Sequence, residues 1–146
     1  MNAESDVAIS ADGVPIHYDV RGNGMPALVF VHGWCCNRRF WDEQVSYFAP
    51  HYAAVTLDLA GHGASGRNRS QWTVQAFGQD IVAVIKQLRL RQVVLIGHSV
   101  GGQWIVEAAR HLPGSVIGLV GVDTWLNIEQ PRTPAEVMGT LAPFRA

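Results

Sequence analysis

Apolar positions in this chain first alternate with polar ones, then run together, then recur at helical spacing. Residues 7–10 and 16–20 are short alternating stretches joined through Asp12-Gly13, a hairpin signal, and predict two antiparallel strands. Gly22-Asn23-Gly24 breaks the chain. Residues 27–31 then form a continuous apolar run suited to a strand buried on both faces. Residues 39–48 read as a helix with Phe40, Trp41, Val45 and Phe48 toward the core, and residues 53–59 as the next apolar strand. The clearest helix spans residues 74–90, where Phe77, Ile81, Val84, Ile85 and Leu88 make one stripe. A strand at 93–96, a helix at 100–112 closed by Pro113-Gly114, and a strand at 116–122 ending on Asp123 complete the pattern. Strands alternating with helices predict an α/β fold: a mostly parallel twisted sheet with an antiparallel N-terminal hairpin and helices on both faces. After Trp125 the period stops. Pro131, Pro134 and Pro143 interrupt a segment with room for one short helix around residues 135–141.

Composition narrows the classes. At 146 residues, 48% hydrophobic and 16% charged, the chain can bury one core and has no disorder signature. A formal net charge of -1 removes the electrostatic motive for nucleic-acid or membrane partners. Arg67, Arg69 and the Arg38-Arg39 pair read as solvated faces. Met1 to Asp6 lack the basic and apolar regions of a signal peptide, so a cytoplasmic location is expected. Cys35 and Cys36 are adjacent and the only cysteines, which argues against both a disulfide framework and a metal site. No metal and no cofactor are expected.

The chemistry concentrates at Gly97-His98-Ser99-Val100-Gly101, directly behind one apolar strand and directly before a helix. Small residues two before and two after a serine allow a sharp strand-to-helix turn that pushes the hydroxyl out of the sheet. Two further motifs precede it in order: His32-Gly33-Trp34 after the third strand, and Asp58-Leu59-Ala60-Gly61-His62-Gly63-Ala64-Ser65 after the fourth. With these three in register, the chain resembles the N-terminal portion of an α/β-hydrolase fold enzyme, of the serine-nucleophile, lid-bearing, esterase-like branch. The resemblance implies a strand order of 1-2-4-3-5-6, about six of the eight strands of that fold, with the loop after strand three beside the turn after strand five.

By that resemblance Ser99 is the nucleophile, and the backbone N–H groups of Trp34 and Val100 form the oxyanion hole. His32, Gly33, Trp34 and His98 line the substrate pocket. The implied activity is hydrolysis of a small ester-like acyl substrate without a cofactor. The base is the difficulty. Of the histidines at 17, 32, 51, 62, 98 and 111, none follows a late strand where the family places it, so the catalytic histidine is expected to be missing from this chain and the short chain inactive or impaired. His32 and His62 are expected to brace loops, and His98 to point into the structure. Asp123 is a minority candidate for the acid, while Asp58 is expected to brace its own turn. Alternatives are a C–C bond hydrolase or a cofactor-free haloperoxidase on the same scaffold, or a non-catalytic binding protein. An aspartate-nucleophile epoxide hydrolase or dehalogenase is disfavoured because position 99 is serine.

The expected organisation is a core portion over residues 1–125 and the start of a lid over 126–146, the chain being a segment of a longer hydrolase. Val116 to Val122 is then an exposed apolar edge, and self-association through it is expected.

Overall fold

The computed structural model describes residues 6–124 together with 133 and 135. The helix expected around 135–141 and the lid segment 126–146 therefore lie, those two positions apart, outside the described residues.

Six strands and three α-helices follow one another as β1 (Asp6–Ile9), β2 (Pro15–Arg21), β3 (Ala27–Val31), α1 (Asp42–Phe48), β4 (Ala54–Leu57), α2 (Val74–Gln87), β5 (Val93–His98), α3 (Gly101–Arg110) and β6 (Val116–Val122). Alternation sets the hairpin: Ala8, Ile16 and Tyr18 are buried while their neighbours are more exposed. Continuous apolar runs set the central strands, and β3 and β4 are buried at every position. The sheet order is β1-β2-β4-β3-β5-β6, antiparallel from β1 through β4 and parallel from there to β6. This is the order the resemblance implied. Because β4 pairs on one side of β3 and β5 on the other, the chain reverses direction across the sheet at β3. Such a reversal leaves a crevice at the C-terminal ends of the two strands.

The two faces differ. On one, α2 and α3 bury Phe77, Ile81, Trp104 and Ile105 against Val29, Val55, Leu57 and Leu95, with the Phe77 and Trp104 rings stacked at 4.5 Å. Thr73 starts α2 by accepting the Ala76 N–H at 3.1 Å. On the other face, among the described residues, α1 is the one α-helix that covers the sheet, packing Trp41 and Val45 on Leu28, Phe30 and Ile96. Beside it runs a groove of about 530 Å³ lined by Leu28, Phe30, Trp41, Ile96, Val120 and Val122 among others. Strand β6 is the sheet edge, and Ile117, Leu119, Val120 and Val122 are exposed on it. No helix among the described residues is long and apolar enough to cross a membrane.

Three expectations are corrected. The helix read over residues 39–48 is a 3-10 turn, Arg38–Trp41, followed by α1, and the tighter turn leaves Phe40 49% exposed instead of in the core. Arg69 is no solvated face. Its side chain is 1% exposed, paired with the buried Asp80 at 2.6 Å and with Asp12 at 2.6 Å, and it lies over the Trp72 and Phe77 rings. Arg38 likewise turns inward, pairing with Asp19 and Asp58, while Arg39 and Arg67 are exposed.

Candidate functional site

The turn from β5 to α3 holds Ser99 at a φ of 54°, a left-handed conformation that is uncommon for a residue with a side chain. Its neighbours explain how the chain tolerates it. A Cβ on Gly97 would stand 2.6 Å from the Gly101 carbonyl oxygen, so the turn closes only with a glycine there. The Ser99 N–H donates to the Val122 carbonyl at 2.9 Å, and the Ser99 carbonyl accepts the Gly102 N–H at 3.0 Å, which ties the strained residue to β6 and to the first turn of α3. The N-terminus of α3 begins directly after the turn, a favourable place for negative charge.

Opposite, the loop leaving β3 is held by His32. Its Nδ1–H donates to the Gly33 carbonyl at 2.8 Å and its Nε2 accepts the Leu59 N–H at 3.1 Å. Those two partners require the neutral ring with the proton on Nδ1. Burial pushes the His32 pKa down to about 4, outweighing the Gly33 bond that favours the charged ring. The Gly33 carbonyl also accepts the Cys36 N–H at 3.3 Å. In a trans peptide the N–H points opposite to the carbonyl, so the Trp34 amide is directed away from the His32 ring. Among the described residues neither the Trp34 nor the Val100 amide has a hydrogen-bond acceptor. The loop and the elbow touch. A Cβ on Gly33 would lie 3.1 Å from the Ser99 Cβ and 2.9 Å from the His98 Nδ1. The loop that carries the Trp34 amide and the turn that carries Ser99 and the Val100 amide thus come into contact at the C-terminal ends of β3 and β5, which is where attack on a carbonyl and support of the resulting oxyanion would need them.

The expected site residues fall into place unevenly. Gly33, Trp34, Ser99 and Val100 come together. Trp34 is 56% exposed, edge-on to His62 at 5.7 Å. His98 is half-buried, stacked on Phe40 at 4.6 Å, and its buried Nδ1 has no partner among the described residues. His32 was expected in the pocket lining. Its side chain reaches no solvent, and it lies behind the loop as the brace of the Gly33 peptide. Asp123 is exposed immediately after β6, with a φ of 50°, next to the Val122 carbonyl that holds Ser99.

Sequence reasoning missed the pairing of Arg38 with Asp58. Asp58 is buried and accepts the Arg38 N–H at 2.7 Å, the Ala64 N–H at 2.9 Å and the Arg38 guanidinium, so it fastens the loop after β4 to the loop after β3. Burial pulls the Arg38 guanidinium down, but its bonds to Asp19 and Asp58 more than reverse this. No periodic signal links the two positions. The approach of β3 and β4 was the available clue. His62, whose Nδ1 donates to the Ala60 carbonyl at 3.0 Å, packs against both His32 and Trp34.

Comparison with known proteins identifies the family and the fold. The family model described as "Alpha/beta hydrolase family" matches residues 28–146. The chain is 36% identical to a non-heme chloroperoxidase of Streptomyces lividans, over 73% of this chain and 40% of that protein. It is 31% identical to 3-oxoadipate enol-lactonase 2 of Acinetobacter baylyi, over 72% of this chain and 40% of the other. Among solved structures, the esterase RhEst1 from Rhodococcus sp. ECU1013 superposes with a TM-score of 0.75 at 35% identity, covering 84% of this chain and 46% of that one. The chain thus spans about two fifths of the length of the curated relatives it matches.

Proposed function

The chain belongs to the alpha/beta hydrolase family, and on that premise we propose that it carries the nucleophile and oxyanion hole of a serine hydrolase acting on small ester-like acyl substrates, lactones included. The observation that carries the reading is the contact of the Gly33 loop with a strained Ser99, with the Trp34 and Val100 amides without an acceptor among the described residues. In the proposed reaction the Ser99 Oγ forms a bond to the substrate carbonyl carbon and gives up its proton, and the carbonyl oxygen becomes an oxyanion held by the two amides. Collapse breaks the bond to the leaving alcohol, which takes a proton, and water then releases the acid from the acyl-enzyme. The proton acceptor is assigned to a histidine outside the 146 residues. His32 is excluded from that role because both of its ring nitrogens are engaged. Asp123, on the rim beside the elbow, is the acid candidate within the chain. A cytoplasmic location accords with this reading.

A second reading is supported by the identity to the Streptomyces lividans chloroperoxidase: a cofactor-free haloperoxidase using the same serine. Halogenated product formed only with peroxide and halide would favour it over ester hydrolysis. The primary test is intact-mass detection of fluorophosphonate labelling on the purified chain. Labelling that disappears in Ser99→Ala supports an activated serine. Labelling that persists in Ser99→Ala refutes Ser99 as the nucleophile, and a folded chain that does not label is a serine without its base, as the assignment of the histidine outside these residues expects.

A further inference from the structure

We propose that the adjacent thiols of Cys35 and Cys36 form a two-sulfur site for a thiophilic trivalent arsenic compound, and that filling it disrupts the turn that presents the Trp34 amide. Residues 33–36 are a β-turn closed by the Cys36 N–H on the Gly33 carbonyl at 3.3 Å. Only its third residue, Cys35, has a positive φ, 59°, the pattern of a type II turn, where glycine is the usual occupant. Cys35 is exposed and Cys36 half-buried, so reagent reaches the pair from solvent.

The chemistry of the pair selects the ligand. Adjacent Cα atoms lie about 3.8 Å apart across a trans peptide. A disulfide usually spans roughly 4.4–6.8 Å between Cα atoms, so a direct bridge would force the peptide out of shape. One atom inserted between the sulfurs relieves that strain. Thiolates favour soft centres. Among the described residues no group of three or more His, Cys, Asp or Glu side chains could hold a metal ion, so a cation that demands four protein ligands finds no support here. A trivalent arsenic bearing one carbon substituent needs only two sulfurs. Phenylarsenous acid supplies it: two As–O bonds break, two As–S bonds form, and each hydroxyl leaves as water with a thiol proton. No oxidation state changes.

Drawing the two side chains onto one atom fixes the backbone torsions of Cys35 and Cys36 and pulls the Cys36 N–H off the Gly33 carbonyl. That carbonyl shares its peptide plane with the Trp34 N–H, so the turn and the oxyanion donor move together.

The test treats the purified chain, Cys35→Ser and Cys36→Ser with phenylarsenous acid, and reads intact mass and peptide-level amide exchange. One phenylarsenic group per wild-type chain is expected, stable to excess monothiol, released by a dithiol, and absent from both variants. A stable adduct on either variant, or removal by monothiol from the wild type, overturns the two-sulfur site. Faster exchange across residues 33–36 in the adduct supports the coupling, and unchanged exchange overturns it. Its effect on Ser99 rests on the proposed nucleophile. Where the untreated chain labels, fluorophosphonate labelling is expected to slow by about a hundredfold, as loss of an oxyanion donor does. Labelling that persists in Ser99→Ala fails the functional reading alone, while mass and exchange still decide this site.

Discussion

Replacing Asp80 by leucine should remove a large share of the stability of this domain. The Asp80 carboxylate is fully buried and receives the Arg69 Nη2 at 2.6 Å, the Arg69 Nη1 at 3.1 Å, the Ser10 hydroxyl at 2.6 Å and the Ala60 N–H at 3.1 Å. Burial pulls the Arg69 guanidinium down, and its bonds to Asp80 and Asp12 more than reverse this, so it stays charged inside the fold. Asp80→Leu leaves that cation with one carboxylate, Asp12, whose side chain is 40% exposed, and removes the acceptor of the Ser10 hydroxyl proton and of the Ala60 amide. Breaking a buried pair from one side costs about 3–5 kcal/mol. Total stability of a domain is about 5–15 kcal/mol, so the variant approaches the limit of folding. Arg69→Met on the same background removes the stranded cation. The double variant should therefore recover stability relative to Asp80→Leu, with a coupling of about 1–3 kcal/mol. Urea unfolding followed by tryptophan emission measures all four corners, since Trp72 and Trp104 lie close to this cluster. A loss below about 1 kcal/mol for Asp80→Leu, or additivity within about 0.5 kcal/mol, refutes the argument.

Three other outcomes follow from the same structure. His32 titrates at about 4 in the fold against 6.5 ordinarily, so the unfolded chain binds more protons between those values. The stability from its neutral ring is complete above pH 6.5, shrinks as pH falls, and by pH 4 has cost about 3 kcal/mol. Urea unfolding should show this pH dependence in the wild type and a shallower one in His32→Gln, and equal slopes would refute it. Gly33→Ala places a Cβ 3.1 Å from the Ser99 Cβ, and the Ser99 labelling rate should fall about tenfold or more as the loop retreats, an expectation that an unchanged rate contradicts. If β6 mediates self-association, lysine at Leu119 and at Val120 should shift sedimentation toward monomer, and a wild type already monomeric at high concentration ends that proposal.

Most of the fold could be read from hydrophobic spacing because each of its elements is simple in kind. β3 shows an uninterrupted run and α2 a single stripe, and both form within three residues of their expected bounds. Residues 39–48 were harder, since Phe40 and Trp41 are both aromatic and period alone cannot say which one the 3-10 turn buries. Ser99 and its glycines were legible because a left-handed turn restricts which residues can flank it. The inward turn of Arg69 was invisible, because its partners come from two segments distant in sequence, Ser10 and Asp12 from the β1–β2 turn and Asp80 from α2, and no local pattern records their meeting. His32 illustrates the intermediate case. Its motif marked the loop, but whether the ring lines a pocket or braces a peptide depends on Leu59, which only the β3–β4 pairing brings near.

The reversal of the sheet at β3 has a kinetic consequence. The two amides of the site belong to loops after β3 and β5, and they become neighbours only when β5 docks on the far side of β3 from β4. That docking closes the longest loop in the central sheet, the kind of contact that slows folding more than local pairing does. The hairpin, β3 and β4 can assemble first and still present one amide and no serine. On the proposed reading, reactivity at Ser99 would thus arise in a single late step during folding or synthesis, and a chain stalled before β5 would be chemically silent however much of its sheet had formed.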